Sequence, residues 1–399
     1  FLRMLKLSSN LRKNVVQIKR GFALAGRKPV DGKGEEWRIF PFEREGMEMN
    51  LNWALNRVKV IPRGDAFHNP RPDLVASKLQ LDPKSRVISL KDFKLKYSAK
   101  ILEAGTPKLS FEDYDTAEQL IQSHFSQSGI ELFVTTGAVG SFRDGSLAVR
   151  VITDHPGVSV LAKNLLIDTP YIKYEDHTSQ LPPITIYCTG QLNDFAGIEY
   201  MEGENGSLEG ARVVLAGAHG KNLQSLENAI KEAASALLLE NENLVTLPAS
   251  VLRNGAKTAL LFNAKESDLT EGLNAGSIYC SKGSVIYGSD GFKTLKGIGS
   301  MFGGVIVPNT NPKNNENWSV NIENCEVLKH APDNLVFSPK IALFMGESSG
   351  KLSEEKVRKN LEGEGMEEDA IGRFFAAGKS GNILFEEISS VKAALGKVA

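Results

Sequence analysis

Apolar and polar positions alternate between two periods along this chain, and the switch marks where helices give way to strands. From Ser110, "SFEDYDTAEQLIQSHF" places Tyr114, Ala117, Leu120, Ile121 and Phe125 at helical spacing. Ser110 stands as the N-cap, with Asp113 three residues on. Short apolar, β-branched runs then predict strands at 130–136, 147–152, 184–188, 212–217, 258–262, 277–280, 284–287, 303–308 and 334–345. The segment "GVSVLAKNLLID" reads as a helix ending in a strand, and 223–240 as one long helix. Many strands with few helices predict an α/β (mixed α+β) core rather than a bundle or sandwich.

The flanks differ from this core. Residues 31–105, interrupted by Pro62, Pro70, Pro72 and Pro83, read as an irregular arm. From Lys351 the chain turns charged and helix-prone; Glu354, Glu355, Lys356, Arg358, Lys359 and Glu362 suit a solvated face, and Phe374, Phe375, Leu384, Val391 and Leu395 suit packing on the body or a neighbour.

Charge changes the picture at one place. The net charge is −1, yet residues 1–30 hold eight Lys/Arg and no acid, which leaves −9 on the rest. Leu2, Leu5, Leu11, Val15, Ile18 and Phe22 are interspersed with those bases, the make-up of a mitochondrial targeting segment. The expected location is the matrix side, peripheral to the inner membrane, with the basic leader of a processed chain on a protein partner or on anionic lipid. The acidic remainder argues against a nucleic-acid partner. Cys188, Cys280 and Cys325 are isolated, so neither a disulfide framework nor a zinc site is expected.

Candidate chemistry is sparse. His68, His124, His155, His177, His219 and His330 show no H-E-x-x-H or paired spacing, and neither a G-x-S-x-G elbow nor a Rossmann glycine motif occurs. Two Gly-Lys loops approach a phosphate loop. "GESSGKLS" (346–353) is one residue short, and "GAHGKN" (217–222) is shorter still. The loop after the 258–262 strand, "NAKESDLT", carries Glu266 and Asp268, and no Arg occurs from 254 to 357. Phosphoryl transfer recruits Arg, Lys and metal-binding acids together, a set missing from this pattern.

The run "ELFVTTGAVGSFRDGSLAVRVITDHPGVSVLAKNLLIDTP" (131–170), with the helix before it, resembles the amino-terminal domain of ATP-dependent phosphoenolpyruvate carboxykinase. The resemblance extends weakly over 26–345. It implies a two-domain carboxykinase-like fold truncated at the C-terminus: leader 1–30, arm 31–105, N-terminal domain 106–243, a degenerate nucleotide-binding-like domain 244–345, and a charged helical tail 346–399. Carried over by position, the substrate arginine is Arg27, the twin lysines become Gln224 and Ser225, and the metal-binding histidine becomes Pro248, before Ala249 and Ser250. The phosphate-loop lysine becomes Leu269 with Thr270 retained, and the acidic cluster falls on Leu273–Ser277. Two acids about 5 Å from a phosphate each repel it by roughly 3 kcal/mol at an effective dielectric near 20.

The resemblance therefore implies a pseudoenzyme with no catalytic, cofactor-binding or metal residues and no cofactor. The expected role is a non-catalytic accessory subunit among the other subunits of a mitochondrial inner-membrane complex, a lineage-specific ATP synthase subunit first. The alternative is an enzyme or small-molecule sensor with a remodelled pocket, in which Arg27, Lys265 and Thr270 hold a carboxylate or phosphate.

Overall fold

A computed structural model describes residues 55–70, 87–89, 111–140, 147–167, 184–203, 206–242, 244–254, 257–265, 278–280, 285–289, 295–308, 319–322, 325–329, 336–337 and 339–398, with 74, 75, 78 and 268 as single positions. The α/β class expected from the periodicity is the observed one, with strands assembled into two six-stranded and two four-stranded sheets among these residues.

The first six-stranded sheet runs β1-β3-β4-β5-β7-β6. Its strands are β1 (Ala66–His68), β3 (Leu132–Val139), β4 (Leu147–Thr153), β5 (Ile184–Thr189), β6 (Phe195–Glu202) and β7 (Leu208–Ala216). β4, β5 and β7 are parallel neighbours, while β3 and β6 pair antiparallel with β4 and β7. Near-continuous apolar runs such as "ITIYCT" follow from burial on both faces. On one face lies α1 (Phe111–Phe125), whose Tyr114, Ala117, Ile121 and Phe125 pack on Leu132, Val134, Ile152, Tyr187 and Val214. Leu120 does not join that stripe: it is 48% exposed, about 100° round the helix from Ile121. The predicted cap, Ser110, lies outside the described residues.

The opposite face carries α2 (Pro156–Leu165) and α3 (Leu223–Glu242). In α3 the buried positions Leu226, Ala229, Ile230, Ala233, Ala234, Leu237 and Leu238 follow the 3.6-residue period. Leu239 on the same helix packs against the second sheet's core, so α3 joins the two bodies.

α1 is also fastened by charge. The strand register lays Thr136, Arg150, Thr185, Arg212 and Glu199 in a row across the sheet. Arg212 donates through Nη1 to both oxygens of Glu118 at 3.1 and 2.9 Å and pairs through Nη2 with Glu199 at 2.8 Å. Burial raises the pKa of Glu118, and the Arg212 guanidinium opposes that rise.

The second six-stranded sheet runs β11-β9-β10-β18-β20-β19. Its members are β9 (Ala249–Asn254), β10 (Lys257–Phe262), β11 (Ile278–Cys280), β18 (Ile341–Met345), β19 (Gly350–Lys351) and β20 (Leu384–Ile388). α4 (Glu354–Gly363) and α5 (Glu368–Gly381) cover one face through Val357, Leu361, Ile371, Phe374 and Phe375; α6 (Val391–Val398) covers the other. Segment 384–388, read from the sequence as helical, is a strand parallel to β18. Leu384, expected to pack, is 57% exposed at its start, whereas Phe374, Phe375 and Val391 are buried.

The single strand predicted over 334–345 is two strands in different sheets: β17 (Val336–Phe337) pairs with β13 (Leu295–Ser300), and β18 pairs with β10. The arm at 31–105 contributes more than irregular chain. It supplies β1 to the first sheet and β2 (Val87–Ser89) to a four-stranded sheet, parallel to β15 (Ser319–Ile322).

Candidate functional site

Ligands of open α/β sheets sit outside the carboxyl ends of parallel strands. Here the ends of β4, β5 and β7 bring Asp154, Thr189 and the loop Gly217–Lys221 together. β4 and β5 close on Thr153 and Thr189, which sets polar side chains at this rim.

Asp154 is the centre of the cluster. Its carboxylate Oδ2 accepts from Thr189 Oγ1 at 2.7 Å and bonds His124 Nε2 at 2.8 Å, with side chains only 2% (Asp154) and 8% (His124) exposed. His124 sits in the last turn of α1, so this pair ties the helix end to the ends of β4 and β5. Both bonds fall on Oδ2; no hydrogen bond among the described residues reaches Oδ1.

Next to Asp154, His155 caps α2 by accepting the Gly157 N–H on Nδ1 at 3.1 Å, which leaves the proton on Nε2. Burial lowers its pKa, opposed by the Asp154 charge, and Lys221 adds to the lowering.

The Gly217–Lys221 loop is held by small residues. A Cβ on Gly220 would come within 2.0 Å of the Thr189 carbonyl oxygen, and one on Gly190 within 2.0 Å of Lys221 Cε. The loop backbone therefore lies on the end of β5, and the Lys221 stem runs across Gly190. Gly217 has φ +62°, the left-handed region. Burial lowers the Lys221 pKa, against the pull of Asp154 and Asp194, and likewise lowers that of His219. Cys188 donates its thiol to the Gly220 carbonyl at 3.1 Å, and burial raises its pKa, which makes it a packed thiol rather than a nucleophile.

The three loops considered from the sequence as phosphate cradles each hold a carboxylate of the chain itself. In the 217–222 loop, Asp194 Oδ1 accepts the Ala218 N–H at 2.6 Å. The 346–353 loop has the strand–loop–helix setting, with Ser353 capping α4 by accepting the Lys356 N–H at 3.3 Å. Into it β20 extends Glu387, which takes Ser348 Oγ at 2.7 Å and Lys356 Nζ at 2.6 Å. Those bonds lower the Glu387 pKa, and a Cβ on Gly346 would come 2.1 Å from its Oε1. After β10, Asp268 Oδ2 accepts the Lys265 N–H at 2.8 Å across a turn that Asn263 enters at φ +56°.

Of the other positions singled out from the sequence, Arg27, Glu266, Leu269, Thr270 and Leu273–Ser277 lie outside the described residues. Gln224 belongs to the first turn of α3, its N–H donated to Asn222 Oδ1 at 2.8 Å. Pro248 stands between β8 (Val245–Leu247) and β9. Lys265 is exposed and far along the chain from the Asp154 cluster. His124 is a buried side chain whose Nε2 bonds the Asp154 carboxylate. The sequence signal for Asp154 and Thr189 is a polar residue at the close of a β-branched run, in "VITD" and "IYCTG". Among the described residues no group of three or more His, Cys, Asp or Glu could hold a metal, and no helix is long and apolar enough to cross a membrane.

No family model matches the chain. The UDP-N-acetylenolpyruvoylglucosamine reductase of Rickettsia typhi (strain ATCC VR-144 / Wilmington) is similar to it, 25% identical over 142 residues, 34% of this chain and 44% of the reductase. The match spans less than half of that relative's length. It points to a different family and overturns the resemblance to phosphoenolpyruvate carboxykinase. The pseudoenzyme label and the assignments to ATP synthase and the mitochondrial inner membrane are withdrawn with it.

Proposed function

We propose that the chain binds a small, hydroxylated or N–H-bearing ligand at the carboxyl ends of β4, β5 and β7, with Asp154 as the anchoring acceptor. One observation carries this reading: a carboxylate almost wholly removed from solvent spends both its protein hydrogen bonds on one oxygen. An ionised carboxylate only accepts, so the partner of Oδ1 must be a donor. The placement at the ends of parallel strands supports it, as do the lowered pKa values of His155, His219 and Lys221 in the same cluster. The similar reductase is named for a UDP-linked sugar, which makes UDP-N-acetylglucosamine the first compound to try.

Calorimetric titration with UDP-N-acetylglucosamine, ATP, phosphoenolpyruvate and oxaloacetate, each with manganese, tests the proposal. Saturable binding of a hydroxylated compound, weakened at least about tenfold by Asp154→Asn, is the expected result; that factor is about 1.4 kcal/mol. Binding that ignores the substitution, or none at all, refutes it.

A second reading is a non-catalytic component that works by docking on other proteins. It is favoured by the three loops whose anion positions are taken by Asp194, Glu387 and Asp268. Sedimentation of the protein in cell extract as a lone monomer would remove that reading and leave the first untouched.

A further inference from the structure

We infer that the 346–353 loop is a binding site for an oxyanion, a carboxylate or a phosphate, which the protein fills with its own Glu387 and so keeps shut. The loop runs from β18 through β19 to the start of α4 and does not depend on the Asp154 reading. Ser348 Oγ and Lys356 Nζ, the latter in the first turn of α4, both donate to Glu387 Oε2, at 2.7 and 2.6 Å. The other oxygen, Oε1, takes the space where Gly346 has no side chain, since a Cβ there would come 2.1 Å from it. Gly346 is itself fixed beside β20, its N–H donated to the Ile388 carbonyl at 2.9 Å. Lys356, then Ser348 through its hydroxyl and its backbone N–H, holds the carboxylate below the ordinary glutamate range, with burial opposing them.

Packing does not explain an acid at this position. Strand alternation puts Glu387 on the same face of β20 as Phe385, which packs into the core beneath α4 and α5. An acid facing a core is disfavoured unless it is paired, and this one, 14% exposed, takes its compensation from the loop. Its neighbour Glu386 pairs instead with Lys397 of α6 at 2.6 Å. An ammonium, a hydroxyl and a backbone N–H meeting at one point, with a glycine for close approach, form a donor set that suits a group with acceptors only. A metal cation would be repelled by the Lys356 ammonium. Glu354, in the same turn of α4 as Lys356, pairs with Lys379 at 3.3 Å. Because Glu387 is tethered on β20, a free anion must displace a competitor whose effective concentration is on the order of millimolar or more. The exposed acids Glu347 and Glu355 weaken a free anion further.

Titrations of the full chain with inorganic phosphate and with acetate, followed by the Ser348 amide resonance, test this. Glu387→Ala is expected to bind one or both at least about tenfold more tightly than wild type, and adding Lys356→Ala to that variant is expected to abolish the difference. Acetate matching phosphate marks a carboxylate site, and a response to phosphate only marks a phosphate site. Glu387→Gln, which removes the charge and keeps the volume, is run beside Ala should Ala not fold. No tightening in either variant overturns the inference, as does tightening that survives Lys356→Ala. In the wild type, a Glu387 carboxyl carbon that titrates in the ordinary glutamate range overturns it too, because the loop would then not be holding the carboxylate.

Discussion

Removing the Asp154 carboxylate is the sharpest test of the candidate site's construction. In Asp154→Ala, His124 and Thr189 lose their shared acceptor while both remain buried. Hydrogen bonds to a charged group are worth about 1.5–3 kcal/mol each. Deleting the acceptor also leaves the two buried groups without a partner, which costs about 1–3 kcal/mol each. The release of a desolvated carboxylate offsets part of this, so a loss of about 3–4 kcal/mol is expected. Asp154→Asn separates charge from geometry. Its amide oxygen still accepts both bonds at neutral strength, about 0.5–1.5 kcal/mol each, so the loss falls to about 2 kcal/mol. Urea unfolding of wild type and both variants, followed by circular dichroism, reads the difference. If Asp154→Ala costs less than about 1 kcal/mol, or no less for Asn than for Ala, the reasoning about a charge-assisted buried centre fails.

Three further outcomes are expected. Burial, then Arg150 and Lys163, depresses the His68 pKa to about 3, so the folded state stays neutral while the unfolded chain takes up a proton as the pH falls through 6.5. Stability should therefore fall from pH 6.5 downward, by about 1–2 kcal/mol at pH 5 after discounting for partial exposure, and His68→Gln should flatten that slope in pH-dependent unfolding. Phe374→Ala removes a ring packed against Phe262, Phe375 and Phe385 and should cost about 3–5 kcal/mol in thermal or urea unfolding. Gly220→Ala forces a methyl into the Thr189 carbonyl, so it should both destabilise the protein by about 1–3 kcal/mol and displace Lys221, seen as a changed Lys221 ammonium shift by NMR.

What could be read from the sequence was whatever local periodicity encodes. The Tyr114–Phe125 stripe, the long helix after Leu223 and most strands follow from spacing alone, because each buries a face set by its own period. Leu120 escaped because both a narrow and a wide apolar stripe fit the same letters. Segment 384–388 escaped for a different reason. "LFEEI" between two helices has no strand signal stronger than its helical one, and its partner β18 lies about 40 residues earlier. The candidate site was the least legible part. His124, Asp154 and Thr189 stand 30 and 35 residues apart, and no spacing rule connects them. Sheet order alone brings them together. The carboxylates in the two glycine-lysine loops are hidden for the same reason: Asp194 precedes Ala218 by 24 residues, and Glu387 enters its loop from a strand 31 residues beyond Lys356.

The layout of the second sheet also bears on how the protein must be made. β9 and β10 form a hairpin as soon as both have left the ribosome, but the other edge of β10 waits for β18, whose Ile341 follows Phe262 by 79 positions. At about 5–20 residues per second, a bare apolar strand edge stands open for roughly 4–16 s of translation. "TALLF" is thus a stretch of the nascent polypeptide in need of a chaperone's cover, and slowing synthesis between the two strands should lower the yield of native protein.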